Sequence, residues 1–329
     1  MKRRELLGAL AGAAALRPGA GSAQQAQSLP TVAIAFASVE GDPESLQRAR
    51  SFQAGMRDLG WIDGQTVRFA GRWMGNDPAR ARTVADDLVA LKPDVILTMG
   101  TVAATALRAA TKSIPVVFVN VTDPVAGGYV ASLARPGGNM TGFTPFEYPI
   151  AGKWLALLKQ AAPGLSRVAL MGDPNNHNYR GFWGPFETTA QGLAIQPLKL
   201  PVGSAAEIEK GLEDLAAAPG GGVVVSAATF SLAHRELIFA LTARLRMPAI
   251  YWTRFFAATG GLMSYGPDTD ELYAKSAAYV SRILKGAHPA DLPVQTATRF
   301  ETVINLRTAR ALGLQIAPSL ASSADETIE

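Results

Sequence analysis

The chain contains no cysteine and only three histidines in 329 residues. The first absence excludes a disulfide framework, a thiol nucleophile, a thiolate metal site and a lipid-modified N-terminal cysteine. The second leaves no material for a histidine-rich metal cage, and no cofactor is implied. Charged residues are few, 18% against 48% hydrophobic, which excludes a disordered chain. An excess of one charge is missing too. The formal net charge of +4 sits mostly at the N-terminus, in Lys2, Arg3, Arg4 and Arg17 against Glu5. Beyond residue 23 there remain 27 basic and 26 acidic residues, too even a balance for a nucleic-acid binder.

Catalytic signatures are also missing. The loop Ala37 to Asp42 after the first apolar run is not G-x-G-x-x-G, so a dinucleotide site lacks its phosphate turn. The Gly152-Lys153 pair has Glu147 where a P-loop needs glycine, and no G-x-S-x-G elbow occurs. His177, His234 and His288 lie far apart, with nothing beside them that activates a nucleophile.

The N-terminus reads as an address. Lys2-Arg3-Arg4 precedes the apolar stretch Leu6 to Leu16, and small residues end at Ala23. This is the order of a secretory signal over residues 1–23, and Arg3-Arg4 also fits a twin-arginine signal. The apolar run is too short to span a bilayer as a mature helix, and no second long one follows. The mature chain is therefore expected outside the cytoplasm, in the periplasm, with no membrane insertion.

What remains is long enough for two domains and alternates strand with helix. Apolar, β-branched runs at 31–37, 66–70, 94–99, 115–120 and 140–144 read as buried strands, with helices from Pro43, over 78–91 and over 102–110. A second cycle places strands at 167–171, 195–200, 223–225 and 249–251. The pattern predicts two doubly wound, mostly parallel α/β units. Residues 262–265 read as a strand, 268–285 as a helix and 301–306 as a last strand; the acidic tail after Pro318 is expected to pack little.

Ligands of open parallel sheets bind outside the carboxyl ends of the strands. Polar residues gather there: Ser38, Gly100-Thr101 opening a helix, and Thr122-Asp123 in the first unit. The second unit has Asn175, Asn176 and Tyr179 after its first strand, Ser226 after its third and Trp252 after its fourth. A helix N-terminus at Gly100-Thr101 suits an anionic group, and Tyr179 and Trp252 can stack on a ligand. For each, local capping, turn formation or packing is the competing explanation.

Five segments taken in order resemble one family: Val121 to Val125, Arg135 to Gly142, Gly260 to Asp268, Tyr279 to Val294 and Val303 to Leu314. They are similar to the ABC-transporter substrate-binding proteins whose better-known members handle tryptophan and related amino acids. The resemblance runs from about Pro30 to Glu329. It implies a type I periplasmic-binding fold, two lobes joined by a hinge and closing on a small ligand. Lobe 1 would comprise 24–145 plus 266–290, lobe 2 146–265 plus 291–329. Crossings are expected near Thr144 to Phe146, Ser264 to Gly266 and Ala290 to Pro293, with Phe146 and Tyr265 lining the hinge. One departure concerns charge. Amino-acid binders of the family tend to carry an acid after the third strand of the second lobe; here the loop is Ser226-Ala227-Ala228-Thr229. Asp123 or Glu147 would have to substitute, and an uncharged or anionic ligand gains weight.

The reading is thus a monomeric, non-catalytic receptor that captures a small polar solute, amino-acid-like or a carboxylate, and presents it to an inner-membrane ABC permease. The alternatives are a ligand sensor signalling to a membrane receptor and an exported α/β hydrolase.

Overall fold

The computed structural model describes residues 29–75 and 77–329; the expected signal at 1–23 lies outside the described residues. From the first strand the chain runs β1 (Thr31–Phe36), α1 (Pro43–Asp58), β2 (Arg68–Trp73), α2 (Pro78–Ala90), β3 (Val95–Met99), α3 (Thr101–Ala110), β4 (Val116–Val119) and β5 (Met140–Thr144). It crosses to α4 (Ile150–Ala161), β6 (Arg167–Gly172), α5 (His177–Gly192), β7 (Gln196–Pro201), α6 (Ala205–Ala216) and β8 (Gly221–Val225). There follow α7 (Thr229–Ala233), α8 (Arg235–Arg244), β9 (Ala249–Tyr251), α9 (Arg254–Ala258) and β10 (Met263–Pro267). The last elements are α10 (Thr269–Leu284), β11 (Gln295–Thr296), β12 (Phe300–Asn305), α11 (Leu306–Ala311), α12 (Pro318–Ser323) and β13 (Glu326–Ile328).

The strands form two sheets, and the expected two-lobe α/β architecture is present. The first sheet has the order β2-β1-β3-β4-β5-β11, all parallel. The second has the order β7-β6-β8-β9-β10-β12-β13, parallel except where β12 returns antiparallel to β10. β1, β3, β4 and β5 are buried along their whole length, because helices cover both faces of a parallel sheet. Their uninterrupted apolar runs are the sequence mark of that burial. β2 and β7, at the sheet edges, are mostly exposed or half-buried and correspondingly mixed in composition.

The crossings follow from these pairings. The first falls at Pro145 and Phe146, directly after β5. The second follows β10: Asp268 accepts from the Glu271 N–H at 3.1 Å and so starts α10, which returns to pack on α1 of the first lobe. The third comes later than Ala290 to Pro293. Thr141 Oγ1 donates to the Leu292 carbonyl at 2.5 Å, Tyr279 Oη donates to the Pro293 carbonyl at 2.5 Å, and β11 pairs with β5. Residues 291–297 are thereby held on the first lobe, the Ala297 N–H donating to the Thr144 carbonyl at 3.1 Å, and the chain crosses between Ala297 and Phe300. The prolines mark breaks in helix, not the hinge.

The expected loose tail is a correction. β13 adds to β12 in parallel register, the Thr302 N–H donates to Asp325 at 2.7 Å, Arg254 pairs with Glu326 at 2.6 Å, and Leu320 is buried. Its acidic residues find specific partners that composition alone does not reveal.

Candidate ligand-binding cleft

Each sheet reverses its strand order once, between β1 and β3 in the first lobe and between β6 and β8 in the second. At such a reversal the flanking connections leave in opposite directions and open a crevice at the strand ends. The two crevices face each other across a cavity of about 390 Å³. That is the size of a small-molecule site. The first lobe contributes Ser38 and the α1 residues Ser45 and Arg48, then Gly100, Thr101 and Val102, Asn120 and Thr122, and Tyr273 from α10. The second lobe contributes Asp173, Asn175, Asn176, Asn178, Ala227, Ala228, Leu232 and Trp252, with Pro145 and Phe146 at the first crossing.

Of the residues expected from sequence, Ser38, Gly100, Thr101, Phe146, Asn175, Asn176 and Trp252 line this cavity. Gly100 has φ 93 and ψ 166, a conformation open to glycine and strained for other residues. It lets the chain turn from β3 into α3 with no side chain in the way. No side chain caps α3, so its first N–H groups are left for whatever the cavity holds. Those groups carry the positive end of the helix dipole.

Asp123, Tyr179, Ser226 and Tyr265 lie outside the lining. The Asp123 carboxylate accepts from the Ala126 N–H at 3.0 Å and so serves its own turn. Burial, together with the nearby Asp123 carboxylate, pushes the Tyr148 phenol well above its ordinary value. Tyr179 folds back into the second lobe, its hydroxyl donating to the Leu170 carbonyl at 3.3 Å. The Ser226 carbonyl accepts from Ser231 Oγ at 2.9 Å, and the residue is buried. Tyr265 stacks on Phe300, while its carbonyl accepts from Trp154 Nε1 at 2.7 Å and braces the hinge. Glu147 is exposed and also outside the lining.

Sequence reasoning missed Arg48, Ser45, Asn120 and Tyr273. Arg48 is 6% exposed, forms an ion pair with Glu44 one turn earlier in α1, and lies 6.0 Å from the Trp252 ring centre and 5.6 Å from that of Tyr273. Burial opposes its charge, but Glu44, Tyr273, Asp42 and Asp270 together hold its pKa above the ordinary value. Burial also pushes the Glu44 carboxyl up, against the pull of Arg48. Arg48 Nε, Glu44 Oε2, Asn120 Oδ1 and Trp252 Nε1 have no hydrogen-bond partner among the described residues. Trp252 itself is fixed by a close passage: a Cβ at Gly266 would collide with the Trp252 carbonyl. No group of three or more potential metal ligands occurs among the described residues, and no described helix is long and apolar enough to cross a membrane.

Comparisons with known proteins bear on this geometry. The chain is 26% identical over 278 residues to the tyrosine-binding protein of Clostridioides difficile (strain R20291), covering 82% of this chain and 78% of that one. It is similar to the solved conserved domain protein of Vibrio cholerae O1 biovar El Tor, with TM-score 0.83, 25% identity and coverage of 91% and 99% of the two chains. A Streptococcus pneumoniae ABC domain solved in complex with L-Trp gives TM-score 0.84 at 24% identity, over 92% of this chain and 100% of that one. A family model described as ABC transporter substrate binding protein matches residues 31–328. Those bounds are the first residue of β1 and the last of β13, so both lobes and the cleft between them fall within one family: the chain belongs to the ABC transporter substrate-binding proteins.

Proposed function

We propose that the chain captures a small organic carboxylate, amino-acid-like or simpler, between its lobes in the periplasm and delivers it to an inner-membrane ABC permease. The observation that carries the ligand class is the uncapped N-terminus of α3 opening into the interlobe cavity. Its free N–H groups and the Thr101 hydroxyl suit a carboxylate, and Arg48, though its charge is shared with Glu44, presents an unpartnered Nε donor beside them. Trp252, Phe146 and Tyr273 supply flat apolar surface for the body of the solute. Asn175 and Asn176 would bond its polar edge from the second lobe.

Two related proteins are described by aromatic amino acids, one as tyrosine-binding and one in complex with L-Trp. An amino acid also needs an acceptor for its ammonium group. Asp173 is the acid in the lining: Oδ1 accepts the Asn175 N–H at 2.8 Å, and the second oxygen is left for a ligand. The periplasmic location rests on the leader read at residues 1–23.

The test is calorimetry against amino acids, simple carboxylates and small aromatics, alongside mass spectrometry of solute carried through native purification. A one-to-one isotherm with a carboxylate is expected. Asp173→Asn should weaken amino acids and spare carboxylates that lack the ammonium group. Saturable binding confined to uncharged solutes would overturn the assignment.

A further inference from the structure

The first two turns of α1 carry more buried charge than any pocket wall requires. Asp42, Glu44 and Arg48 are 5%, 6% and 6% exposed. Asp270, at the start of α10, adds its field to both Glu44 and Arg48. On the first lobe this edge therefore holds three carboxylates against one guanidinium. The balancing charge comes from the other lobe. Arg235, opening α8, reaches across the mouth of the cleft to Asp42 Oδ1 at 3.5 Å. Around this contact, Ser38 to Pro43 of the first lobe face Leu232 to Glu236 of the second across a groove of about 520 Å³.

Both partners are already held on their own lobes. Asp42 Oδ2 accepts the Ser45 N–H at 2.9 Å and caps α1, which leaves Oδ1 facing outward. Arg235 Nη1 donates to the Leu232 carbonyl at 3.0 Å, and its guanidinium lies 5.3 Å from the Phe255 ring centre. Neither side chain needs ordering when the lobes meet, so the contact costs little entropy to make. Arg235 does not line the solute cavity.

We propose that Arg235 is the closing latch of the cleft: a positioning residue that engages the capping carboxylate of α1 and holds the lobes together over the solute without touching it. The proposal rests on the reading that the lobes close around a ligand. Separated lobes leave an excess of negative charge on the α1 edge and return it to water. Closure neutralises part of it with one guanidinium. The Arg48 contact with Trp252, also made across the cleft, closes in the same movement.

The absence of cysteine makes a direct test available. Spin labels at Val125→Cys, which is exposed on the first lobe, and Arg180→Cys, exposed on the second, report lobe separation by pulsed electron paramagnetic resonance. The protein is first stripped of bound solute by unfolding and refolding. Arg235→Gln is expected to raise the ratio of long to short distances roughly fivefold, as loss of an ion pair of this kind implies. Asp42→Asn, which keeps the α1 cap, should give the same shift, and the double variant no more than either alone. Arg235→Lys should restore much of the short population, and Glu236→Gln, which removes the exposed carboxylate 3.5 Å from Arg235 Nε on its own lobe, should not raise the long population. Two distance populations that Arg235→Gln leaves unaltered would overturn the latch and spare lobe closure. A single narrow distribution in every variant would overturn both.

Discussion

The two walls of the cleft are built from the same motif and use it differently. In the first lobe the helix that meets the cavity, α3, begins without a side-chain cap. In the second, α5 begins at Asn176, whose side-chain Oδ1 accepts the Asn178 N–H at 3.0 Å, and Asp173 spends an oxygen on the Asn175 N–H. Asn178 Oδ1 in turn faces the Tyr148 hydroxyl at 3.4 Å. The first wall therefore holds its donors in reserve, while much of the acceptor capacity of the second is taken up by its own backbone. A wall with unspent donors anchors a charged group; a wall already satisfied offers shape and cover. On the proposed reading, the difference suits anchoring by the first lobe and closure by the second.

The largest effect that would probe this contrast lies beside the first wall. Arg48→Met leaves the buried Glu44 carboxylate without its partner and should cost about 3–5 kcal/mol of stability, read by denaturant unfolding. Adding Glu44→Met should recover most of that loss, because a buried ion pair replaced as a whole by apolar groups is nearly neutral. A double variant as unstable as the single one would show that the pair contributes more than mutual compensation.

Next comes Gly100→Ala. The glycine-only backbone conformation predicts about 1–3 kcal/mol of strain. Relief of that strain would turn the α3 N–H groups away, so solute affinity should fall at least tenfold in calorimetry. Unchanged affinity would remove α3 as the anchor.

Thr101→Ala and Asn176→Ala then separate the walls. Thr101 makes no capping bond, so its loss should weaken binding and leave the melting temperature nearly unchanged. Asn176→Ala removes a cap and should cost about 1 kcal/mol of stability, with the smaller effect on binding. The reverse outcome would exchange the roles of the lobes.

The last effect appears only in alkali. Burial pushes the Tyr273 phenol up to about 12, against the opposing pull of Arg48. An unfolded tyrosine loses its proton near pH 10, so from there to about pH 12 the native state binds the extra proton and stability falls as pH rises. Ultraviolet titration should show one phenol fewer ionising near pH 12 in Tyr273→Phe than in the parent chain, and the substitution should flatten that part of the stability profile.

The sequence made much of the cleft legible because strand ends are local features. Ser38, Gly100 and Asn176 each come after an apolar run that reads as a buried strand, and a doubly wound sheet puts such positions at one edge. Tyr179 and Ser226 follow strands equally well yet turn inward: Tyr179 by its rotation in the first turn of α5, Ser226 as the residue directly after β8. Arg48 and Tyr273 were beyond reach for another reason. Both sit inside amphipathic helices, where a charged or aromatic residue reads as surface or core. They meet only because α10 returns more than two hundred residues later to pack on α1.

Local physical chemistry, written in the order of residues, determined the α/β class, the two successive units, the helix starts at Asp42, Asn176 and Asp268, and the polar strand ends. Tertiary structure decided which charges face each other. Asp42 and Arg235, or Arg48 and Trp252, are brought together by two lobes folding toward one another. Periodicity can show that a helix face is buried, but not against what.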